Sequence, residues 1–319
     1  MRVVVVGGTR FIGRAIVEDL AAAGHELLLV HRGETEPGDL PKASHLHLER
    51  ARLPEHRQEL AGFAPDALVD CRALSRADAR AVLDAVPKDL RLVVISSMDV
   101  YRAFGAVLQS VETDGVPLDE ESPVRGHRYP YADRPDYDKL DVEEEYRPSR
   151  ATVLRLPMVY GEHDYQRREE FILRRVRAGR DRIPFGAGQW LPTRGYVRDV
   201  ARGVRLAVES EAAAGQVLNL CERRTSTVRL WAERILEAAG FAAELVRVPD
   251  DLLPADLKQT GEVSQHIVAS AARARELLGW EDSDPVAALR TTVAWHLANP
   301  PEEDDLDFAA DDEALAAVE

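Results

Sequence analysis

The sequence is poor in cysteine, in positive charge and in long apolar stretches. Its 319 residues include only two cysteines, Cys71 and Cys221, which are too few and too far apart for a disulfide framework or a zinc site. Each lies in a hydrophobic run, so we expect buried, reduced thiols. The sequence has no apolar stretch long enough to span a membrane, and Met1 leads into a predicted strand with no positively charged leader. These features predict a cytoplasmic protein without membrane contact.

The shortage of positive charge gives a formal net charge of −15, which disfavours nucleic acid as a partner. The segment 302–319 holds nine acidic residues and no basic ones, so the rest of the chain carries −6. We expect residues 301–319 to form a solvated, disordered acidic tail. A hydrophobic content of 45% suits one large domain or two closely joined ones.

A run of four valines at 3–6 opens the chain and is followed by a glycine-rich turn. Four β-branched residues in a row are typical of a strand that is buried on both faces of a parallel sheet. Glycines 7, 8 and 13 allow a tight turn into a helix that begins near Phe11. The free N–H groups of such a helix can hold a pyrophosphate.

A second strand is predicted at 25–32 and completes a βαβ unit of the right length. The pattern therefore favours a dinucleotide site over an ordinary strand-to-helix turn. One position departs from the pattern, because the spacing asks for glycine at positions 7, 10 and 13 and position 10 is Arg10.

Strands and helices alternate through the first two hundred residues. Strands are predicted at 67–71, 90–97 and 151–156, helices at 75–85 and 136–145, and a loop-rich stretch at 102–135. This alternation predicts an α/β fold, a doubly wound parallel (Rossmann) sheet with helices on both faces. Beyond residue 160 the pattern loosens. We expect a dinucleotide-binding domain at 1–160, to which 195–220 return, and a smaller, mainly substrate-binding domain at 161–300.

Five segments, in order, resemble motifs of the extended short-chain dehydrogenase/reductase superfamily, the group of nucleotide-sugar epimerases and dehydratases. The segments are 7–13, 95–101, 139–143, 154–161 and 195–201. The resemblance covers about residues 1–300, and the Arg10 variant is similar to the atypical branch, some members of which lost the usual chemistry. It implies an NAD(P)-dependent oxidoreductase, epimerase or dehydratase that acts on a hydroxyl or carbonyl of a small polar substrate. A sugar or nucleotide sugar is the leading substrate class, and a homodimer is expected.

The resemblance also implies a tyrosine, a lysine and a serine or threonine around the substrate oxygen. Ser97, at the C-terminal end of a predicted strand, matches the hydroxyl position, and Lys139 matches the lysine that binds the nicotinamide ribose. The family spacing Tyr-x-x-x-Lys leads to Pro135, so the usual tyrosine is absent.

Tyr137 can replace the missing tyrosine only if the helix starts late, for example with Asp136 as its N-cap, because residues two apart on a helix point to opposite faces. Tyr131 or Tyr129 can also fold in from the preceding loop. If no tyrosine takes the role, the protein uses another acid or is a non-catalytic NAD(P)-binding sensor or scaffold.

The end of the second strand bears on the type of cofactor. It reads His31-Arg32 and has no carboxylate for a ribose diol. A 2′-phosphate would be attracted by Arg32 and by Arg10, which favours NADP(H) over NAD(H); alternatively, Arg32 only stacks on adenine. The expected cofactor-binding residues are Gly7, Thr9, Arg10, Phe11, Ile12, Gly13, His31, Arg32, Pro157 and Val159.

For the substrate side we expect Asp99, Tyr101, Gln189 and Arg194 to bind, with His163 and Tyr196 nearby. Arg194 could bind an anionic group, since its segment resembles one where epimerases meet the nucleotide diphosphate. The histidines are scattered along the chain, so the sequence predicts no metal site.

Overall fold

The fold is described from a computed structural model, which covers residues 1–303 and 305–319. The strands of the described chain are β1 (Arg2–Val6), β2 (Glu26–His31), β3 (Ser44–His47), β4 (Ala67–Asp70), β5 (Arg91–Ser97), β6 (Thr152–Leu156), β7 (Met158–Tyr160), β8 (Arg182–Phe185), β9 (Arg194–Tyr196), β10 (Val217–Asn219) and β11 (Glu244–Arg247).

The α-helices are α1 (Phe11–Ala22), α2 (Arg57–Phe63), α3 (Arg76–Leu83), α4 (Arg102–Gln109), α5 (Lys139–Tyr146), α6 (Glu170–Arg177), α7 (Val197–Glu209), α8 (Val228–Ala238), α9 (Ala272–Leu278), α10 (Pro285–Ala298) and α11 (Ala309–Ala316). Short 3-10 helices lie at Arg50–His56, Met98–Val100, Arg147–Ser149, Glu211–Ala213, Asp250–Leu252 and Ala255–Thr260. Among the described residues no helix is both long and apolar enough to cross a bilayer.

Seven parallel strands form the central sheet, in the order β3-β2-β1-β4-β5-β6-β10. The predicted doubly wound sheet is confirmed. The order reverses beside β1, and ligands of open α/β sheets bind at the carboxyl ends of the strands near this switch point. The turn between β1 and α1 and the end of β5 both lie at this edge.

The four valines of β1 show why the sheet is buried on both sides. Val3 and Val5 belong to a core cluster shared with α1 and α7, whereas Val4 and Val6 belong to a second cluster shared with α2, α3 and α5. Successive side chains of a strand point to opposite faces, so a strand covered on both faces must be apolar throughout.

The chain beyond β7 adds smaller elements around this edge of the sheet. Strand β7 pairs with β9, and β8 pairs with β11, both in parallel. Helix α8 packs against α6 and α10, and β10 returns to pair with β6 in the central sheet. The division into domains at residue 160 stays a prediction.

Two predicted segments differ from the structure. The stretch 102–135, expected to be loop, contains α4, whose apolar residues Ala103 and Ala106 are buried. The helix expected from Asp136 begins at Lys139 with Asp138 as N-cap, because the Asp138 side chain accepts a hydrogen bond from the Leu140 amide.

The prediction of a disordered tail is wrong, since residues 309–316 form α11. Asp311 accepts two hydrogen bonds of 2.7 Å from the fully buried Arg175 guanidinium, which also pairs with Asp256. Phe308 lies under the guanidinium groups of Arg174 and Arg180. The acidic C-terminal segment packs against the body of the protein because Arg174, Arg175 and Arg180 bind its side chains.

Candidate functional site

The turn between β1 and α1 can be built only with glycine at its ends. Gly7 has φ +91°, in the left-handed region. A Cβ on Gly13 would lie 2.2 Å from the Gly7 carbonyl oxygen, and one on Gly8 would lie 2.7 Å from Val17 Cγ2. The backbone at the start of α1 is therefore pressed against the turn, which leaves its first amides open as an anion cradle. This cradle fits the pyrophosphate of a dinucleotide.

Position 10, where the glycine motif asks for its middle glycine, accommodates arginine because its backbone is extended. Arg10 has φ −135° and ψ 146°, extended backbone that any residue adopts, and it is the N-cap of α1. Its guanidinium lies 4.8 Å from the centre of the Tyr165 ring, away from the tight contacts of the turn. Phe11 carries the strained φ of 39° instead, and Thr9 is buried with its hydroxyl 3.2 Å from that of Thr35.

At the end of β2, Arg32 and His31 have charged or polar neighbours that the sequence analysis did not predict. Arg32 is about half exposed and pairs with Glu34 at 2.6 Å. His31 is buried, and burial together with the nearby His47 lowers its pKa. Its Nε2 atom lies 2.9 Å from His45 Nδ1. The pairing of β2 with β3, which sequence reasoning missed, brings these histidines together.

Ser97, Asp99 and Tyr137 meet at the carboxyl end of β5. Ser97 ends the strand, and its Oγ accepts a hydrogen bond from the Asp99 amide. The Tyr137 hydroxyl donates to Asp99 Oδ2 at 2.6 Å, and the Tyr131 hydroxyl donates to the same oxygen at 3.3 Å. Asp99 Oδ1 is buried and has no hydrogen-bond partner. The Arg125 Nη2 atom lies 3.9 Å from this oxygen, at ion-pair distance but beyond a hydrogen bond.

Tyr137 reaches this place because the helix starts after it. With Asp138 as N-cap, Tyr137 lies outside α5, so the rule that separates residues two apart on a helix does not apply. Asp138 is fixed by the buried Arg125, whose Nη2 lies 3.0 Å away and whose Nε donates to the Asp99 carbonyl. One guanidinium therefore positions both the loop of Tyr137 and the backbone of Asp99.

The charges in this cluster favour a neutral phenol. Burial raises the pKa of Asp99, while the Tyr137 hydrogen bond and Arg125 act against the rise. Burial and the Asp99 carboxylate both raise the pKa of Tyr137 above its ordinary value. Tyr137 is thus protonated at neutral pH and can donate a proton, and Asp99 is its acceptor partner.

Lys139 is buried beneath the same cluster. Its ammonium donates to the carbonyl oxygens of Ala73 at 2.6 Å and Ile95 at 2.8 Å, which holds it between the ends of β4 and β5. Burial lowers the pKa of Lys139 to about 8, against the opposing effect of Asp99. A role in binding the nicotinamide ribose stays a prediction.

A second polar cluster lies beyond β6. A small cavity is lined by Met158, Tyr160, Arg168, Phe171, Arg194, Val228, Trp231 and Gln259. The Arg194 guanidinium lies 4.3 Å from the Trp231 ring and donates to the Ser226 carbonyl. Burial lowers the pKa of Arg194 to about 10, and it remains a cation at pH 7.

The carboxylates near Arg194 are themselves perturbed. Burial raises the pKa of Glu169 to about 8, and burial also raises the pKa of Glu222, which accepts a 2.7 Å hydrogen bond from Tyr160. A neutral Glu169 leaves part of the Arg194 charge uncompensated, and the cavity beside it, about 10 Å³, has room for roughly one water molecule.

The other expected site residues are placed as follows. Tyr101 is fully buried, and its hydroxyl donates to Asn219, so its contact with a substrate stays a prediction. Gln189 is exposed in the loop after β8. Pro157 and Val159 follow β6 at the sheet edge, where a Cβ on Gly195 would lie 3.1 Å from Pro157 Cγ. The packing of Gly195 against Pro157 fixes this segment.

Comparison with known proteins agrees with this architecture. The chain is 25% identical to the chloroplast stem-loop binding protein of 41 kDa b of Arabidopsis thaliana, over 99% of this chain and 84% of that protein. It is 28% identical to 2′-dehydrokanamycin reductase of Streptomyces kanamyceticus, over 78% of this chain and 70% of that protein. The structure of UDP-glucose 4-epimerase of Bifidobacterium longum, in complex with NAD⁺ and UDP, superimposes with a TM-score of 0.73 at 16% sequence identity. The match covers 94% of this chain and 99% of the epimerase chain.

A sequence model of the NAD dependent epimerase/dehydratase family matches residues 3–221, which is more than half of the chain. The chain belongs to this family, and the resemblance drawn from its five motifs is confirmed.

Proposed function

We propose that this family member is a nicotinamide-dependent oxidoreductase, epimerase or dehydratase in which Tyr137 and Asp99 carry the proton. The observation that supports it most is the 2.6 Å hydrogen bond from the Tyr137 hydroxyl to Asp99, beside Ser97 at the carboxyl end of β5. A bound nicotinamide dinucleotide would supply or accept the hydride. The chain's own groups would handle the proton on the substrate oxygen.

The proton route follows from the hydrogen bonds. When the substrate is an alcohol, the Tyr137 oxygen takes the hydroxyl proton while its own proton passes to the Asp99 carboxylate. When the substrate is a carbonyl, the phenol gives its proton to the substrate oxygen and regains one from protonated Asp99. Burial raises the pKa of Asp99, which makes it a stronger proton acceptor than an exposed carboxylate. Ser97 orients the substrate oxygen, and Arg125 is a positioning residue.

The substrate we propose is a small polar molecule with an anionic part, of which a sugar or nucleotide sugar is the leading class. Arg194 and Arg168 line the cavity beyond β6, and Trp231 and Tyr160 add flat surfaces there. Cations beside aromatic faces suit a phosphate that is attached to a ring system, and the cavity, at about 10 Å³, would have to widen to admit it. The B. longum epimerase named above was solved with UDP, which supports the same class.

The cofactor preference is part of the proposal. NADP(H) is favoured over NAD(H) because β2 ends without a free carboxylate, and Arg32 is exposed enough to meet a 2′-phosphate once it leaves Glu34. A cytoplasmic location and a homodimer also stay predictions. The formal charge of −15 continues to disfavour nucleic acid as a partner.

The proposal is tested by Tyr137→Phe, with Tyr129→Phe as the matched control. Both tyrosines lie in the same loop, but the Tyr129 hydroxyl donates to Asp141 at 3.3 Å rather than to Asp99. With a panel of nucleotide sugars and simple keto sugars, we expect Tyr137→Phe to lower kcat about 10²–10⁴-fold. The control should keep its kcat, and calorimetry should give an unchanged cofactor Kd for both variants.

Equal turnover of the two variants would contradict the proposed role of Tyr137. Saturable cofactor binding without turnover of any panel member would favour the alternative, a non-catalytic NAD(P)-binding protein. Pro135, in the place of the family tyrosine, is the observation on which that alternative rests.

A further inference from the structure

Three histidines and one glutamate converge just beyond the dinucleotide turn. His31 ends β2, His45 and His47 lie on β3, and Glu36 lies in the loop between these strands. The register pairs His31 with His47, and His45 points to the same face as His47 because they are two residues apart on one strand. One potential ligand atom from each of the four side chains lies within 4.8 Å of all the others.

The distances between these atoms are close to those of a tetrahedral metal site. His31 Nε2 lies 2.9 Å from His45 Nδ1, and Glu36 oxygens lie 3.3 Å from His45 Nδ1 and 2.9 Å from His47 Nε2. Glu36 Oε2 lies 3.8 Å from His31 Nε2. Ligands at about 2.0–2.1 Å from a tetrahedral ion are about 3.3 Å apart. The four separations above lie on either side of this value, and one ligand atom from each side chain lies within 4.8 Å of the others.

We propose that His31, Glu36, His45 and His47 form a binding site for a divalent transition-metal ion of the zinc type. Three imidazoles and one carboxylate are a donor set that suits Zn²⁺ or Co²⁺ and does not suit Mg²⁺ or Ca²⁺, which take oxygen ligands. Two adjacent strands and a short loop form the site, and they bring the four side chains together before the ion arrives.

Binding has a defined consequence for the loop. His31 Nδ1 now accepts a hydrogen bond from the Gly33 amide at 3.1 Å, which places the ring proton on Nε2. An ion at Nε2 displaces that proton to Nδ1, so the Gly33 amide must turn away. Gly33 has φ +80° and no side chain, which makes this turn sterically easy.

The ion would also fix one wall of the dinucleotide turn. Thr35, next to Glu36, lies with its hydroxyl 3.2 Å from that of Thr9 in the turn. Holding Glu36 to β2 and β3 therefore restrains the loop against the first turn of α1. The arrangement assigns a structural role to the ion, since the cluster lies at the β2 end of the sheet and not beside Tyr137.

The test uses the full chain after treatment with a chelator and dialysis. Titration with Co²⁺ should give the visible absorption of a four-coordinate ion at one equivalent, and Zn²⁺ should displace the Co²⁺ and abolish the band. His47→Ala is the variant of choice, because the His47 side chain is 52% exposed and its loss leaves the core intact. We expect it to weaken binding at least about tenfold.

His56→Ala is the matched control, since His56 also pairs with a glutamate, Glu59 at 3.2 Å, but lies outside the cluster. It should bind Co²⁺ like the native chain. Glu36→Gln should weaken binding in the same direction as His47→Ala. The proposal is overturned if the native chain gives no such band at one equivalent, or if His47→Ala binds as tightly as His56→Ala.

Discussion

At the scale of single residues, the start of helix α5 decides which tyrosine reaches the carboxyl end of β5. Pro135 stands where the family spacing places the tyrosine, and Tyr137 brings its hydroxyl to Asp99 from outside the helix. The sequence left Tyr129, Tyr131 and Tyr137 as alternatives. The choice among them depends on where α5 begins, which is decided by the bonds of Asp138 to Leu140, Tyr129 and Arg125.

A second buried residue gives a prediction on pH. Glu169 is fully buried, neither of its carboxyl oxygens has a hydrogen-bond partner, and burial raises its pKa to about 8 from 4.5. The folded chain therefore keeps a proton that the unfolded chain has lost. The contribution of this proton to stability is complete below about pH 4.5 and is lost as the pH rises through about 8.

His296, whose Nε2 lies 3.6 Å from Glu169, changes the stability in the opposite direction and over a lower pH range. Its pKa is lowered by burial from 6.5 to about 4, so it adds stability with rising pH only between these values. Between pH 6.5 and 8 the Glu169 effect is separate from it. We expect the melting temperature of Glu169→Gln to fall less over this range than that of the native chain. The exposed Glu302→Gln should follow the native curve, and parallel curves for all three would contradict the assignment.

At the scale of elements, the C-terminal helix α11 shows why an acidic composition misled the prediction. Nine acidic residues without a basic one suggest a solvated tail, but the sequence does not reveal that Arg174, Arg175 and Arg180 lie in one region to receive it. Ala314 and Leu315 are also buried on the same helix. Long-range ion pairs of this kind have no local signal.

This docking predicts a measurable loss of stability. Asp311→Ala removes the buried carboxylate that faces the Arg175 guanidinium, and breaking a buried pair costs roughly 3–5 kcal/mol. The exposed Glu313 of the same helix is the control, and Glu313→Ala should change the free energy of unfolding by less than about 0.5 kcal/mol. Urea denaturation measures both. Equal midpoints would show that α11 does not contribute to the folded state.

The strands show the complementary case, in which the pattern alone was sufficient. The predicted strands at 3–6, 67–71, 90–97 and 151–156 correspond to β1, β4, β5 and β6 within one or two residues. Strands that are buried on both faces must be apolar throughout, so a short run of consecutive apolar residues is enough to predict them. Strand β3, Ser44–His47, was missed because it lies at the edge of the sheet and three of its four residues are polar.

At the scale of the whole molecule, the fold follows from the sequence more completely than the site does. The sequence singled out the turn glycines, Ser97 and Lys139 through backbone geometry and family spacing, and their roles in the site stay predictions. The Asp99–Tyr137 contact and the His31 cluster were not, because each joins residues that only the folded chain brings together. Asp99 was expected only to bind substrate, and the histidines were expected to stay apart.

The central claim is that the turn between β1 and α1 binds a nicotinamide dinucleotide, and calorimetric titration tests it most directly. We expect saturable binding of one dinucleotide per chain, tighter for NADP(H) than for NAD(H). Gly13→Ala should abolish it, because the new Cβ would lie 2.2 Å from the Gly7 oxygen, whereas Gly62→Ala, with nothing within 4 Å, should bind normally. The claim would be contradicted if none of the four dinucleotide forms binds the native chain, or if both glycine variants bind alike.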